Sequence, residues 1–207
     1  GLHTLGRYAE ARAAVTNALA QHAQSIRLRW LARDIFQHHD EPETAKLMLE
    51  EIITLVRVQP WAYRDPANLV VFGQAALRKG ADPRSVLERV YDTARRADPQ
   101  RREVYLATGA LALEKHDDAL AAKTYQEGLA QCPEDPDLLA GLARAYAPSE
   151  TRSMLTTLAT ALKQNPRHPP SLLLLADHLI DAEDYAEARK TLDRVLDVNP
   201  WHPEAWA

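Results

Sequence analysis

The chain has 207 residues, of which 46% are hydrophobic and 26% charged, with seven glycines, 13 prolines and one cysteine. That balance fits a folded, helix-rich protein rather than a disordered one, and the single Cys132 excludes an intrachain disulfide and a CxxC metal site. The formal net charge of −4 divides as +2 over residues 1–99 and −6 over residues 100–207, so nucleic-acid binding, which needs a concentrated basic excess, is not expected.

At the amino end, residues 6–11, GRYAEA, read as a turn and the start of a helix, leaving residues 1–22 as a partial unit. Over residues 25–60, Leu28, Leu31, Ala32, Ile35 and Ala45 fall at helical spacing, but the segment up to Pro60 is several residues too long, and Trp61 to Pro66 form an extra connection. Residues 67–99 carry Leu69, Gly73, Tyr91, Ala94 and Pro99, with about two extra residues expected through Gly80 to Pro83. Residues 102–133 give Tyr105, Gly109, Asp117, Ala121, Tyr125 and Pro133. Residues 136–166 give Leu139, Leu142, Ala143, Tyr146, Leu158, Ala161 and Pro166; there Met154 and the Pro148 turn are expected to splay the helix pair. Residues 169–200 hold the cleanest copy: SLLLLADHLID, a turn at 182–184, then YAEARKTLDRVLDV and the stop Asn199-Pro200. Residues 203–207 open a further helix.

Pro60, Pro99, Pro133, Pro166 and Pro200 are separated by 39, 34, 33 and 34 residues. A regular gap near 34 marks a stacked helical repeat. The cleanest copy resembles the tetratricopeptide repeat (TPR), with Leu172, Leu175, Ala176, Leu179, Ala188, Leu192 and Pro200 at its signature positions. Small residues are needed where paired helices approach closely. The resemblance implies an all-α fold, a helix-turn-helix solenoid wound as a right-handed superhelix, with about five repeats and a partial repeat at each end. Residues 1–207 are then one solenoid domain, read as a fragment of a longer array.

For function, the resemblance implies a protein-protein interaction scaffold whose first helices line a concave groove, with no catalytic residue and no cofactor. The groove positions it assigns are Arg29, Arg33 and Phe36; Val70, Gln74 and Leu77; Leu106, Ala110 and Leu113; Ala140, Arg144 and Ala147; and Leu173, Asp177 and Ile180. This set is mostly apolar. It lacks the Lys, Asn and Arg clamp with which some family members grip a terminal carboxylate, so an apolar partner segment is the expected ligand. The run Leu172 to Leu175 points nearly all round its helix, so one leucine must pack against an adjacent repeat or floor the groove. Two other readings stay open: a non-catalytic arm of a larger multidomain bacterial enzyme, and self-association through the chain ends.

Other chemistries find little support. His38-His39-Asp40 lies where a helix gives way to a turn, so a surface turn is expected rather than a metal site, and no HExxH, phosphate loop or GxSxG occurs. Trp61 and Trp201 each follow a boundary proline and are expected to pack across repeat junctions; Trp30 and Trp206 are grouped with them as structural. No apolar run approaches the roughly 18 residues of a membrane span, and residues 1–6 lack the features of a signal peptide. The compartment is unassigned, with a soluble, cytoplasmic setting favoured.

Overall fold

Short polar side chains and prolines set where the helices begin. The computed structural model describes residues 1–206, which run α1 (Tyr8–Gln21), α2 (Ile26–His38), α3 (Pro42–Val58), α4 (Pro66–Arg78), α5 (Pro83–Val86), α6 (Asp92–Ala97), α7 (Arg102–Glu114), α8 (Asp118–Gln131), α9 (Pro136–Tyr146), α10 (Thr151–Gln164), α11 (Pro169–Asp181), α12 (Tyr185–Leu196) and α13 (Pro203–Trp206). A 3-10 turn lies at Pro60–Tyr63, and a π turn at Leu87–Tyr91 joins α5 to α6. No strand occurs among the described residues. The side chains of Ser25, Asp65, Asp82, Asp117, Asp135 and Asp184 each accept an N–H from the first turn that follows, satisfying donors that a helix start leaves bare. Prolines open α3, α4, α5, α9 and α11, where the missing N–H costs nothing.

Four helices stop in one way. Asp40, Gly80, His116 and Glu183, each two residues past the end of α2, α4, α7 or α11, have φ of 56°, 85°, 56° and 60°. The next residue's N–H then reaches back to a helix carbonyl: Glu41 to Phe36, Ala81 to Ala76, Asp117 to Ala112 and Asp184 to Leu179. This is the Schellman stop, and its recurrence at one slot gives the helix-turn-helix unit its fixed turn. α9 ends differently, with Glu150 N–H on the Tyr146 carbonyl across the Pro148 turn.

The backbone divides into two compact units, the first made of Gly1–His3 and Arg7–Ala107, the second of Thr4–Gly6 and the chain from Thr108 on. In the first unit, Ala11, Val15, Ala32, Ile35, Phe36, Ala45 and Met48 form one apolar cluster. Ile26, Ile52, Tyr63, Val71 and Ala75 form the next. The connection after Pro60 is thus part of the core, because Tyr63 turns inward and its hydroxyl donates to the Gln24 carbonyl at 2.9 Å. Trp61 does not pack at a junction as expected; with Tyr63 in that slot it is 68% exposed, and Trp201 is 70% exposed.

Small residues recur where helices meet. Ala32, Ala143 and Ala176 in first helices, and Ala94, Ala121 and Ala188 in second helices, are almost wholly buried. In the first unit the Tyr91 ring fills the space left by Gly73, where a Cβ would stand 2.4 Å from the ring. Two residues more separate Gly73 from Tyr91 than separate Gly109 from Tyr125. Both extra residues were expected in the loop. The structure puts one in the loop, which is a residue longer than its counterpart after α7, and absorbs the other in the π turn.

In the second unit, Tyr125 lies between Gly109 and Gly141. Ala143, Met154, Leu158 and Leu174 cluster beside it in sequence, and Leu172, Leu173 and Val195 form a further cluster. Met154 does not splay its pair: α9 and α10 pack as closely as the other helix pairs, because the flexible thioether lies over the small Ala143. The buried His168 ties the start of α11 to α9, with Nδ1 2.8 Å from Ser171 Oγ and Nε2 3.0 Å from Asp137 Oδ1.

Candidate functional site

Helical spacing on α4 places Ala67, Val70, Val71 and Gln74 on one face. That face forms the floor of a cleft of about 280 Å³ in the first unit, walled by Arg27 and Trp30 of α2 on one side and Glu103 and Leu106 of α7 on the other. Val70 and Val71 are buried, Gln74, Trp30 and Leu106 half-buried, and Arg27 and Glu103 exposed at the rim. Trp30 is held in place: its indole packs on the cluster around Ile26 and Ile52, and the Arg33 guanidinium stands 4.9 Å over its ring.

The charges around the cleft are unequally answered. Arg29 Nε lies 2.6 Å from Glu51 Oε2, and Arg33 Nη1 lies 3.1 Å from Asp34 Oδ1. Glu103 reaches Arg101 only at 4.0 Å, while Arg101 is paired with Asp98 at 3.1 Å. Arg27 makes no ion pair or hydrogen bond with any described residue, and neither does the side chain of Gln74. The cleft therefore offers an apolar floor, one unspent amide, and a rim that carries one cation, Arg27, and one weakly paired carboxylate, Glu103.

Of the assigned groove residues, the structure brings Val70, Gln74 and Leu106 together in this cleft. Arg29 and Arg33 do not line it; they are engaged with Glu51 and with Asp34 and Trp30. In the second unit Ala110, Arg144 and Asp177 are exposed, Leu113 is half-buried and Ile180 is 44% exposed. Leu173 is a correction: at 9% exposure it packs with Leu172 and Val195, so it belongs to the core. All four leucines of the run 172–175 are at least half-buried, Leu174 turning toward Ala143 and Met154 while Leu172 and Leu173 face Val195. Trp30 was not among the assigned positions. Its signal in the sequence is an indole set among the arginines Arg27, Arg29 and Arg33 of a first helix.

A second cluster lies at the other end of α2, still in the first unit. Tyr8 and His38 rings are 3.8 Å apart between centroids, and His3 stands 5.2 Å from each. Burial, reinforced by the neighbouring histidines, lowers the pKa of His3 and His38. No group of three His, Cys, Asp or Glu side chains among the described residues is placed to hold a metal ion. No described helix is long and apolar enough to cross a membrane.

Stacked helix pairs with a common stop and small residues at common slots make this a helical-repeat protein. The chain carries tetratricopeptide repeats: models of that repeat match residues 88–136 and 155–207. Solved structures agree on the fold. TTC0263, a thermophilic TPR protein of Thermus thermophilus, superposes with a TM-score of 0.62 at 23% identity, over 90% of this chain and 93% of that one. The APC/C hetero-tetramer Cut9–Hcn1 gives 0.63 at 15% identity over 97% of this chain and 38% of that one. YrrB, a TPR protein with an unusual peptide-binding site, gives 0.52 at 15% identity over 93% and 96%. No curated protein matches the chain.

Proposed function

We propose that the chain is a non-catalytic scaffold that holds a partner protein through an extended or helical segment, and that the cleft between α2, α4 and α7 is the contact point in the first unit. The observation that carries this reading is the convergence of three successive first helices on one cleft, with Val70 and Gln74 on its floor and Leu106 on its wall. A floor that only stabilised the stack would be filled by neighbouring side chains; this one is open and rimmed by polar groups, the form of a ligand site. The family generally acts by binding proteins, and the peptide-binding site named for YrrB supports the same use of the fold.

Affinity capture with the native chain and with cleft variants tests the reading. Leu106→Asp places a charge on the cleft wall, and Ala67→Trp fills the floor. Both should lose the proteins that the native chain retains, while Lys190→Ala on the exposed face of α12 keeps them. A capture profile unchanged by both cleft variants, with native helicity, would remove the cleft from the function.

A further inference from the structure

We propose that His3 is an acid-sensitive latch: neutral, its ring holds α1 of the first unit against α2, and charged, it lets that helix come away. Packing is the first support. The His3 ring meets the Tyr8 ring of α1 and the His38 ring of α2 edge-on, each at 5.2 Å between centroids, with interplanar angles of 64° and 83°. Its Nε2 is buried and has no hydrogen-bond partner among the described residues. A neutral ring can present a bare lone pair there, whereas an imidazolium must place an N–H and a positive charge where no acceptor waits. His3 moves with α1 because the Arg7 N–H, at the helix start, donates to the Leu2 carbonyl at 3.0 Å.

The charges around His3 do not answer a cation. It faces Tyr8 of α1, the Gly1 ammonium, and His38, His39 and Asp34 of α2. Asp34 is the one carboxylate of this set, and Arg33 engages it at 3.1 Å, with Arg78 of α4 also facing it. Burial, and then the His38 ring, lower the His3 pKa from its ordinary 6.5. The released ring therefore takes its proton near pH 6.5 and the docked ring only at lower pH. The latch is complete above about pH 6.5 and is lost as pH falls from there through the docked value. His38 is the more exposed of the two rings, so water can solvate its charge. α1 is lightly held: of its 14 residues only Ala11 and Val15 are buried, and no side chain caps its start. Its other two tethers do not respond in this range. His39 Nε2 lies 2.9 Å from the Tyr8 carbonyl, which accepts an N–H whatever the charge on the ring. Arg12 bonds Glu41 at 2.5 Å and holds that carboxyl below its usual range. Release would carry Ala11 and Val15 away from Ala32, Ile35 and Phe36 and uncover that apolar face of α2.

Amide hydrogen exchange of the intact chain, corrected for the intrinsic effect of pH on exchange, provides the readout. Between about pH 7.5 and about pH 5, protection of α1 should fall about threefold or more while α3 keeps its own. His3→Phe keeps a ring without a titrating nitrogen. Because Nε2 has no partner to lose, this variant should protect α1 fully at the higher pH and lose the response to acid. His3→Gln drops the ring, and should give weaker protection that is the same at both pH values. His116→Gln, on the exposed turn after α7, should keep the native response. Protection of α1 that does not change with pH, a response that survives in both His3 variants, or one abolished by His116→Gln would each overturn the inference. So would weakened protection in His3→Phe at the higher pH, or a fall shared equally by α3.

Discussion

The ring of Tyr125 lies against the bare backbone of Gly141, so closely that a Cβ there would stand 2.4 Å from Cε1 and Cζ. Gly109 meets the other side of the same ring at the same distance. One aromatic side chain of α8 thus fills space left by glycines on α7 and α9, which is how three helices of the second unit come together. Gly141→Ala sets two effects against each other. Alanine favours the helix by about 1 kcal/mol, whereas overpacking a rigid, buried ring costs about 1–3 kcal/mol. We expect the clash to win, with a lower denaturant midpoint for Gly141→Ala and for Gly109→Ala. Combining Gly141→Ala with Tyr125→Leu should recover part of the loss, a coupling that a double-mutant cycle measures.

The same burial makes the second unit sensitive to alkali. Desolvation raises the Tyr125 phenol to about 12, against an opposing pull from the Arg144 charge. In the unfolded chain the phenol titrates near 10. The folded state therefore holds its proton to higher pH, so the full stability is present below about pH 10 and is lost as pH rises from about 10 to 12, by on the order of 2 kcal/mol. Urea melts across that window should show the decline, and Tyr125→Phe should flatten it.

Three of the four Schellman stops use a residue with a side chain where the backbone is left-handed: Asp40, His116 and Glu183. Glycine takes that conformation without a steric penalty, although it loses more freedom on folding. The net effect of Asp40→Gly, His116→Gly or Glu183→Gly should be a gain of about 0.5–1 kcal/mol each. Because the three stops lie far apart along the chain, the gains should add in the triple variant. Thermal melts showing a loss at all three positions would contradict this account of the turns.

Leu106 and Leu173 occupy equivalent positions in their repeats yet sit in different surroundings. Leu106 is half-buried on the cleft wall; Leu173 is packed with Leu172 and Val195. Leu173→Asp buries a charge without a partner and should cost about 3 kcal/mol or more. Leu106→Asp leaves its carboxylate access to water and should cost well under half of that. Comparing the two denaturation midpoints checks the difference.

The contrast between these two leucines shows where sequence reasoning stops. Fold class and repeat boundaries were legible because they depend on local features: boundary prolines at a near-constant interval and small residues at contact slots. Val70, Gln74 and Leu106 could be placed on one side of their helices because a helix fixes direction by spacing alone. What spacing cannot encode is which neighbour a side chain meets. Leu173 found a cluster contributed by α12, Arg29 found Glu51 on α3, and Trp61 lost its junction to Tyr63 two residues later. Trp30 was set aside as structural for the same reason, since its role at the cleft comes from α4 and α7 arriving beside it.

The π turn at Leu87–Tyr91 carries one residue more than the length of its helix requires, yet Val86, Tyr91 and Ala94 remain buried on either side of it. A repeat with such a spare residue has slack in its reading frame. Removing a single residue from the exposed stretch at Glu88 or Arg89 would relax the turn to an ordinary α-helix and leave Tyr91 seated against Gly73, whereas the same deletion in α8 would swing Tyr125 away from both of its glycines. The array therefore contains one position at which its length can change by a residue while the stacking on both sides stays in phase.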